Sequence, residues 1–405
     1  MDEAKGLFAG LKVLDVASFI AAPAAATVLG DFGADVIKIE PPGTGDPYRQ
    51  LAASNGMPAA AANYCWMLDA RNKQSLALDL KTPQGRDVLY RLVAEADVFI
   101  TNFPPEVRRR LGVAYEQLEH VNPRLIYASF TAFGESGAEA NQPGFDSTAW
   151  WARSGMMDHV RPDGDSPPAR SGPGMGDHPT ALALYAAIVT ALFRRERTGR
   201  GGCVGSSLLA NGAWANAVLV QAALCGASFP PRLPRSRAAN ALRNHYLCRD
   251  GRWFMLALVQ EEKAWPRLAR VVGGEALADD PRFATTEARR DNAPALIALL
   301  DDRFLTRDSA LWQQLLAVEQ ITATIVSRIT DVASDSQMHA ASALVPYAGG
   351  NEASFTVDSP FWIEGEAKIA PGAAPEVGQH TEAVLQGLGY SAAEIAALRR
   401  EGAIA

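Results

Sequence analysis

Apolar positions in the first part of the chain fall into short β-branched runs separated by longer stretches with helical spacing. Leu11-Lys-Val-Leu-Asp-Val16 is one such run. It leads through Ser18-Phe19-Ile20-Ala21 into a stretch opened by Pro23 and closed at Gly33, which predicts a helix. Asp35-Val-Ile-Lys-Ile-Glu40 predicts a second strand, so strand, helix and strand form a βαβ unit. Such a unit implies a parallel sheet whose ligand crevice lies at the strand carboxyl ends. The pattern recurs: Thr82-Pro83 opens a helix with Val88, Leu89, Leu92 and Val93 on one face, and Ala96-Asp-Val-Phe-Ile100 predicts the next strand. A short helix near 115–120 precedes a further strand, Leu125-Ile-Tyr-Ala-Ser-Phe130.

From Thr131 to Gly176 glycine, proline, serine and aspartate interrupt every period, and irregular chain of that length in a compact enzyme is commonly functional. A long helix from about His178 to Arg197 stops at Thr198-Gly-Arg-Gly-Gly202, and residues 203–225 read as helix-rich. Phe229-Pro-Pro-Arg-Leu-Pro-Arg235 marks a boundary. Beyond it, apolar runs flank Asp250-Gly251 as a hairpin, and helical stretches follow near 262–272, 293–305 and 308–318. The tail from about 331, with a final helix around Thr381 to Leu388, is too short to fold alone. The expectation is an α/β fold with a Rossmann-like parallel-sheet large domain from residues 1–228 and 331–405, and a smaller α+β domain over 229–330.

The chain has 405 residues, which also favours two lobes, and it carries a formal net charge of −7. An acidic balance disfavours nucleic acid as a partner, because neutralising phosphates requires a basic face. The apolar run from Ala181 to Phe193 is shorter than the roughly 20 residues that cross a bilayer. Without a basic leader at the start, the expected location is cytoplasmic and away from membranes. Cys65, Cys203, Cys225 and Cys248 lack CxxC spacing and read as free, mostly buried thiols, with no metal site signalled.

Several stretches in order resemble the class III CoA-transferases, the CaiB/BaiF family of formyl-CoA, carnitine-CoA and bile-acid-CoA transferases, with the α-methylacyl-CoA racemases as relatives. They include Leu11-Lys-Val-Leu-Asp15, Gly33-Ala-Asp-Val-Ile-Lys-Ile-Glu40, Asn72-Lys73, Leu78-Asp-Leu-Lys-Thr-Pro83, Arg110-Leu-Gly112, Asn122-Pro-Arg-Leu-Ile-Tyr127, Thr198-Gly-Arg-Gly201 and Val377-Gly-Gln-His-Thr381. The resemblance implies transfer of coenzyme A from an acyl-CoA to a free carboxylic acid, CoA and acyl-CoA entering as substrates with no tightly bound cofactor. It also implies an interlocked homodimer. The family's nucleophile lies in a Gly-Asp pair opening a long helix, here Gly176-Asp177. Read from the residues alone, without the resemblance, Asp177 is first a helix cap for free N–H groups ahead of Pro179. Its helix-terminal place should favour the ionised form by roughly 0.3–1 kcal/mol.

By the same resemblance Ser18, Phe19, Ile20, Ala21, Lys73, Leu78, Asn102 and Arg110 would contact CoA, the arginine suiting phosphate. Gln74 departs from the arginine common after that lysine, and surface or capping roles stand beside each of these assignments. Gly174 and Gly176 would let a thioester approach the backbone, or simply form a flexible loop. Asp146 matches an acidic position near the nucleophile, and Phe145 stands where racemases have a histidine base. Racemisation of an α-methylacyl-CoA, the alternative activity, needs two acid-base groups, so that loss counts against it. Trp150 and Arg153 resemble the branch acting on aryl-lactates, 2-hydroxy acids and bile acids; they would bind an aromatic or branched acyl group, or pack the core. His159, His178, His245 and His380 read as structural.

Overall fold

The computed structural model describes residues 6–405, and the chain divides into two compact units. The first comprises residues up to Met157, Arg170–Gly226 and Gln337–Ala405; the second comprises Asp158–Ala169 and Ala227–Ser336.

In the first unit six parallel strands lie in the order β3-β2-β1-β4-β5-β6: β1 (Lys12–Asp15), β2 (Asp35–Glu40), β3 (Gln74–Ala77), β4 (Val98–Thr101), β5 (Ile126–Thr131) and β6 (Gly202–Ser207). Successive side chains point to opposite faces, which sorts the apolar residues into two cores. Val13, Val36, Ile100, Ala128 and Phe130 meet α1 (Ala21–Asp31) and the long helix Asp177–Thr198 on one face. Leu14, Ile39, Leu76, Phe99 and Tyr127 join Val88, Leu89 and Leu92 on the other. Every residue of α1 is buried, as its small side chains allow. On the long helix Ala181, Leu184, Ile188 and Ala191 repeat with the spacing of one face, and all are buried.

Two strands differ from the expected pattern. Gln74–Ala77 has no β-branched residue, and Gly202–Ser207 reads as part of a helix-rich stretch; tertiary pairing makes both into strands. The free edge of β3 is covered by the chain's end: His380 Nδ1 accepts the Ser75 N–H at 3.1 Å and Thr381 Oγ1 accepts the Ala77 N–H at 3.1 Å. A structural role for His380 follows.

The second unit holds an antiparallel sheet of β7 (Arg243–Leu247), β8 (Trp253–Ala257) and β9 (Ala323–Ile325). Asp250-Gly251 makes the hairpin turn, with Gly251 at φ 73°. Tyr246, Phe254, Trp265, Phe304 and Trp312 form its core with helices Glu261–Gly273, Ala293–Phe304 and Ser309–Val318. His245 packs edge-on against Trp253, and His159 accepts a hydrogen bond from Arg232. Among the described residues no helix is long and apolar enough to cross a membrane. All four cysteines are free, but only Cys65 and Cys248 are buried; Cys203 and Cys225 are exposed, against the expectation of mostly buried thiols.

Candidate active site

Strand order reverses direction between β1 and β4, the point at which an open α/β sheet leaves a crevice at its carboxyl edge. The segments after these two strands are tied together there. Asn102 accepts the Ser18 N–H at 2.9 Å through Oδ1 and donates from Nδ2 to the Ser18 carbonyl at 2.7 Å. Phe19 adopts φ 64°, unusual for a residue with a Cβ, and its N–H is held by Asp46 Oδ1 at 3.1 Å. Its ring meets Phe145 edge-on at 5.7 Å.

Beneath this loop lies a buried charge cluster. Asp15 faces Lys73 at 2.9 Å and Lys38 at 3.6 Å, and Lys38 reaches Asp46 at 2.8 Å. Burial alone would push the Asp15 carboxyl up; Lys38 and Lys73 outweigh it and hold the group below its usual range. For Lys73 burial wins, and its ammonium is pushed down despite Asp15.

Gly176 caps the long helix, and Asp177 is its first residue. Asp146 opens a π-helical turn, Asp146–Ala152, and its Oδ2 accepts the Gly176 N–H at 3.3 Å. A Cβ on Gly176 would come within 2.7 Å of the Trp150 indole, so only glycine fits between that ring and the helix start. Gly174 has φ 77°, and a Cβ there would strike His178 Nδ1 at 2.9 Å. The expected capping bonds are absent: among the described residues the Asp177 carboxylate makes no hydrogen bond or ion pair. Nor is it simply favoured as an anion by the helix end. Burial, and next the Asp146 charge, push its carboxyl up to about 7, with His178 opposing and Asp69 reinforcing the rise.

The half-buried Asp177 lines a cavity of about 660 Å³. Ser18, Phe19, Ile20, Ala21 and Asn102 line its sheet side, and Phe145, Asp146 and Gly174 line the side nearer the helix. A second hollow of about 240 Å³ shares Ser18, Phe19, Asn102 and Phe145, so the two aromatic rings stand where the spaces adjoin. Of the expected site residues, Lys73, Leu78, Arg110, Trp150 and Arg153 line neither space, and Gly176 lies just behind. Lys73 spends its ammonium on Asp15 and on the Pro23 carbonyl at 2.7 Å. Leu78 is buried in the sheet's second core and bridges to Ile404. Arg110 is exposed in the last turn of Pro105–Leu111. Trp150 is stacked on Trp151 at 5.7 Å under Gly176, and Arg153 pairs with Glu139 at 2.9 Å on the surface.

Other lining residues carried no sequence signal. Leu51, Asn55 and Met57 enter from the turn Pro47–Ala53 and the loop after it, and Arg170 and Ser171 precede the glycine run. His178, read as structural, is bonded to Asp69, which also accepts from Tyr48 Oη at 2.5 Å.

The profile of CoA-transferase family III matches residues 8–381. The chain is 34% identical over 394 residues to the (R)-2-hydroxy-4-methylpentanoate CoA-transferase of Clostridioides difficile, covering 96% of this chain and 97% of that one. It is 31% identical over 408 residues to the cinnamoyl-CoA:phenyllactate CoA-transferase of Clostridium sporogenes, covering 99% and 98%. A crystal structure of a CaiB/BaiF family protein from Brucella suis superposes with a TM-score of 0.82 at 30% identity, over 95% of this chain and all of that one. With a parallel sheet open at its switch point and this likeness running nearly end to end, the chain belongs to CoA-transferase family III and is an enzyme of that kind.

Proposed function

We propose that the enzyme moves CoA from an acyl-CoA to a free carboxylic acid with Asp177 as covalent carrier. The observation that carries this reading is a carboxylate without a protein partner on the wall of a cavity. An Asp177 oxygen attacks the thioester carbonyl, the C–S bond breaks, and CoA leaves as thiolate; a mixed anhydride remains. The thiolate then attacks the Asp177 carbonyl carbon and expels the donor acid as carboxylate, leaving an aspartyl-CoA thioester. An incoming carboxylate repeats both steps in reverse. One carboxylate enters for each that leaves, so no proton is gained or lost and no general base is required.

Ile20, Leu51, Met57, Phe130, Phe145 and Leu208 give the cavity an apolar wall, which suits a branched or aromatic acyl group. The activities for which the two relatives are named point the same way. Ser18 to Ala21 and Asn102 border the space in which the CoA arm would lie; Asn102, with its amide engaged by Ser18, acts by fixing that loop. A homodimer belongs to the same reading, supported by exposed Trp214, Val218 and Leu224 on or beside a helix, Ala217–Leu224, with no buried residue. So does a cytoplasmic location, which suits four free thiols.

Incubation with acyl-CoA and hydroxylamine tests the carrier. Mass spectrometry should find a hydroxamate on Asp177, and Asp177→Ala should form no adduct and transfer nothing. A wild-type enzyme that transfers CoA yet is never trapped at this residue would overturn the assignment. Exchange of the α-proton in deuterium oxide would instead indicate racemisation.

A further inference from the structure

His178 stands beside the carrier without lining its cavity, and both of its ring nitrogens face oxygen acceptors. Nε2 lies 3.0 Å from Asp69 Oδ1, and Nδ1 lies 3.2 Å from the Gly174 carbonyl. A neutral imidazole has one N–H and can satisfy one of these oxygens; the doubly protonated cation satisfies both. Asp69 is itself 4% exposed and is fixed by Tyr48 Oη from the other side, so its position does not depend on the histidine. The Gly174 turn that carries the second acceptor has room for the ring only because residue 174 lacks a Cβ.

We infer that Asp69 and His178 form a positioning pair for the carrier: an imidazolium, anchored at both nitrogens, that holds the glycine turn and draws the adjacent Asp177 toward its anionic, nucleophilic form. The inference rests on Asp177 being the covalent carrier. The reaction needs no proton transfer, so the role left for a histidine here is that of a fixed positive charge. The groups facing the pair are few. Asp69 and Cys65 come from the helix Tyr64–Asp69 and Tyr48 from the turn Pro47–Ala53, while Asp146 of the π-helical turn acts on Asp177 and Arg170 lines the Asp177 cavity. Asp146 and Asp69 favour the protonated form of Asp177, and His178 is the neighbouring charge that favours the anion. For His178, burial works against the cation, but the Asp69 bond and charge and the Gly174 carbonyl outweigh it and raise the group above the usual histidine range.

The test begins with the wild-type hydroxamate at Asp177; its absence would remove the carrier reading itself and is scored separately. With the adduct present, kcat/KM for CoA transfer is measured between about pH 5 and 9 in wild type and His178→Gln. Asp177 must be ionised to attack, so the acid limb marks its titration. Loss of a neighbouring cation should move that limb upward, by about one pH unit because the ring is 42% exposed and solvent screens it. The alkaline plateau should fall by about threefold to tenfold, because the glycine turn loses one anchor. A limb that stays in place, or a loss equal at all pH values, overturns the inference. Nitrogen-15 spectra of the imidazoles supply a second measure that requires no loss of His178. One ring of the six histidines should hold both N–H protons at neutral pH and lose one at lower pH in Asp69→Asn. Finding that Asp69→Asn changes no histidine would equally refute it.

Discussion

Asp15 and Asp177 are two carboxylates at the same edge of one parallel sheet, and their surroundings are opposite. Asp15 ends β1 wholly buried, with a lysine on each side. Asp177 opens a helix beside the cavity with no cation bonded to it and another carboxylate at its helix start. The first is held below its ordinary value and the second is raised to about 7. The difference shows where this fold places charge to build and where it leaves charge to react. The paired cluster reaches, through Lys38 and Asp46, to the Phe19 N–H, and so fixes the strained loop that walls the cavity. The unpaired carboxylate retains lone pairs for a substrate because no protein donor takes them.

The strongest way to break the comparison is to unpair the buried member. Asp15→Asn leaves Lys73 without its ionic partner in a site that water does not reach, and should cost about 3–5 kcal/mol in urea unfolding at neutral pH. The sign of the pH dependence follows from the lowered native value. Asp15 contributes stability above the unfolded carboxyl value of about 3.9 and loses it as pH falls further. A variant as stable as wild type would mean that the cluster contributes no net stability.

Asp177 should behave in the reverse sense. Its native value is raised, so its contribution is present in full below the unfolded value and is lost as pH rises through about 7. Asp177→Asn should therefore be catalytically inert and yet more stable than wild type at pH 8, by about 1–2 kcal/mol once partial exposure is allowed for. The two proteins should unfold alike near pH 3.5. Thermal unfolding at both pH values measures this, and equal midpoints at pH 8 would show that the carboxylate is not strained in the free enzyme.

The paired region was the more legible in sequence. Val13 and Leu14, with their counterparts in β2, β4 and β5, announce strands because short apolar, β-branched runs stand out between helical stretches in the sequence itself. The Gly-Asp at a helix start was legible too, through the resemblance. Gln74–Ala77 and Gly202–Ser207 were not, since their strand character comes from neighbours. Lys73, Arg110 and Arg153 are residue types that suit CoA or an acid, but spacing cannot tell a ligand contact from the ion pairs that Lys73 and Arg153 form here. The Asp69–His178 bond spans 109 positions, and no local pattern reports a partner that distant. Even the direction of the Asp177 shift was hidden, because a helix end worth less than about 1 kcal/mol was set against burial and Asp146, both products of the folded chain.

The smallest expected effect concerns the unpaired cation on the cavity wall. Arg170 is the sole cation among the lining residues, is exposed, and has no acidic partner among the described residues; the adjoining Ser171 hydroxyl also lacks one. An anion entering the cavity would meet both. Arg170→Met keeps much of the side chain's apolar length and removes the charge, so it should weaken ground-state binding more than the chemical step. We expect about a tenfold rise in KM for one substrate, near 1.4 kcal/mol, with kcat little changed. Which substrate it is distinguishes the two anions: a rise for the acceptor acid places its carboxylate at Arg170, and a rise for the acyl-CoA places a phosphate there. If KM is unchanged for both, the charge left unpaired at position 170 serves solvent alone, and the contrast between paired and unpaired groups applies to the carboxylates only.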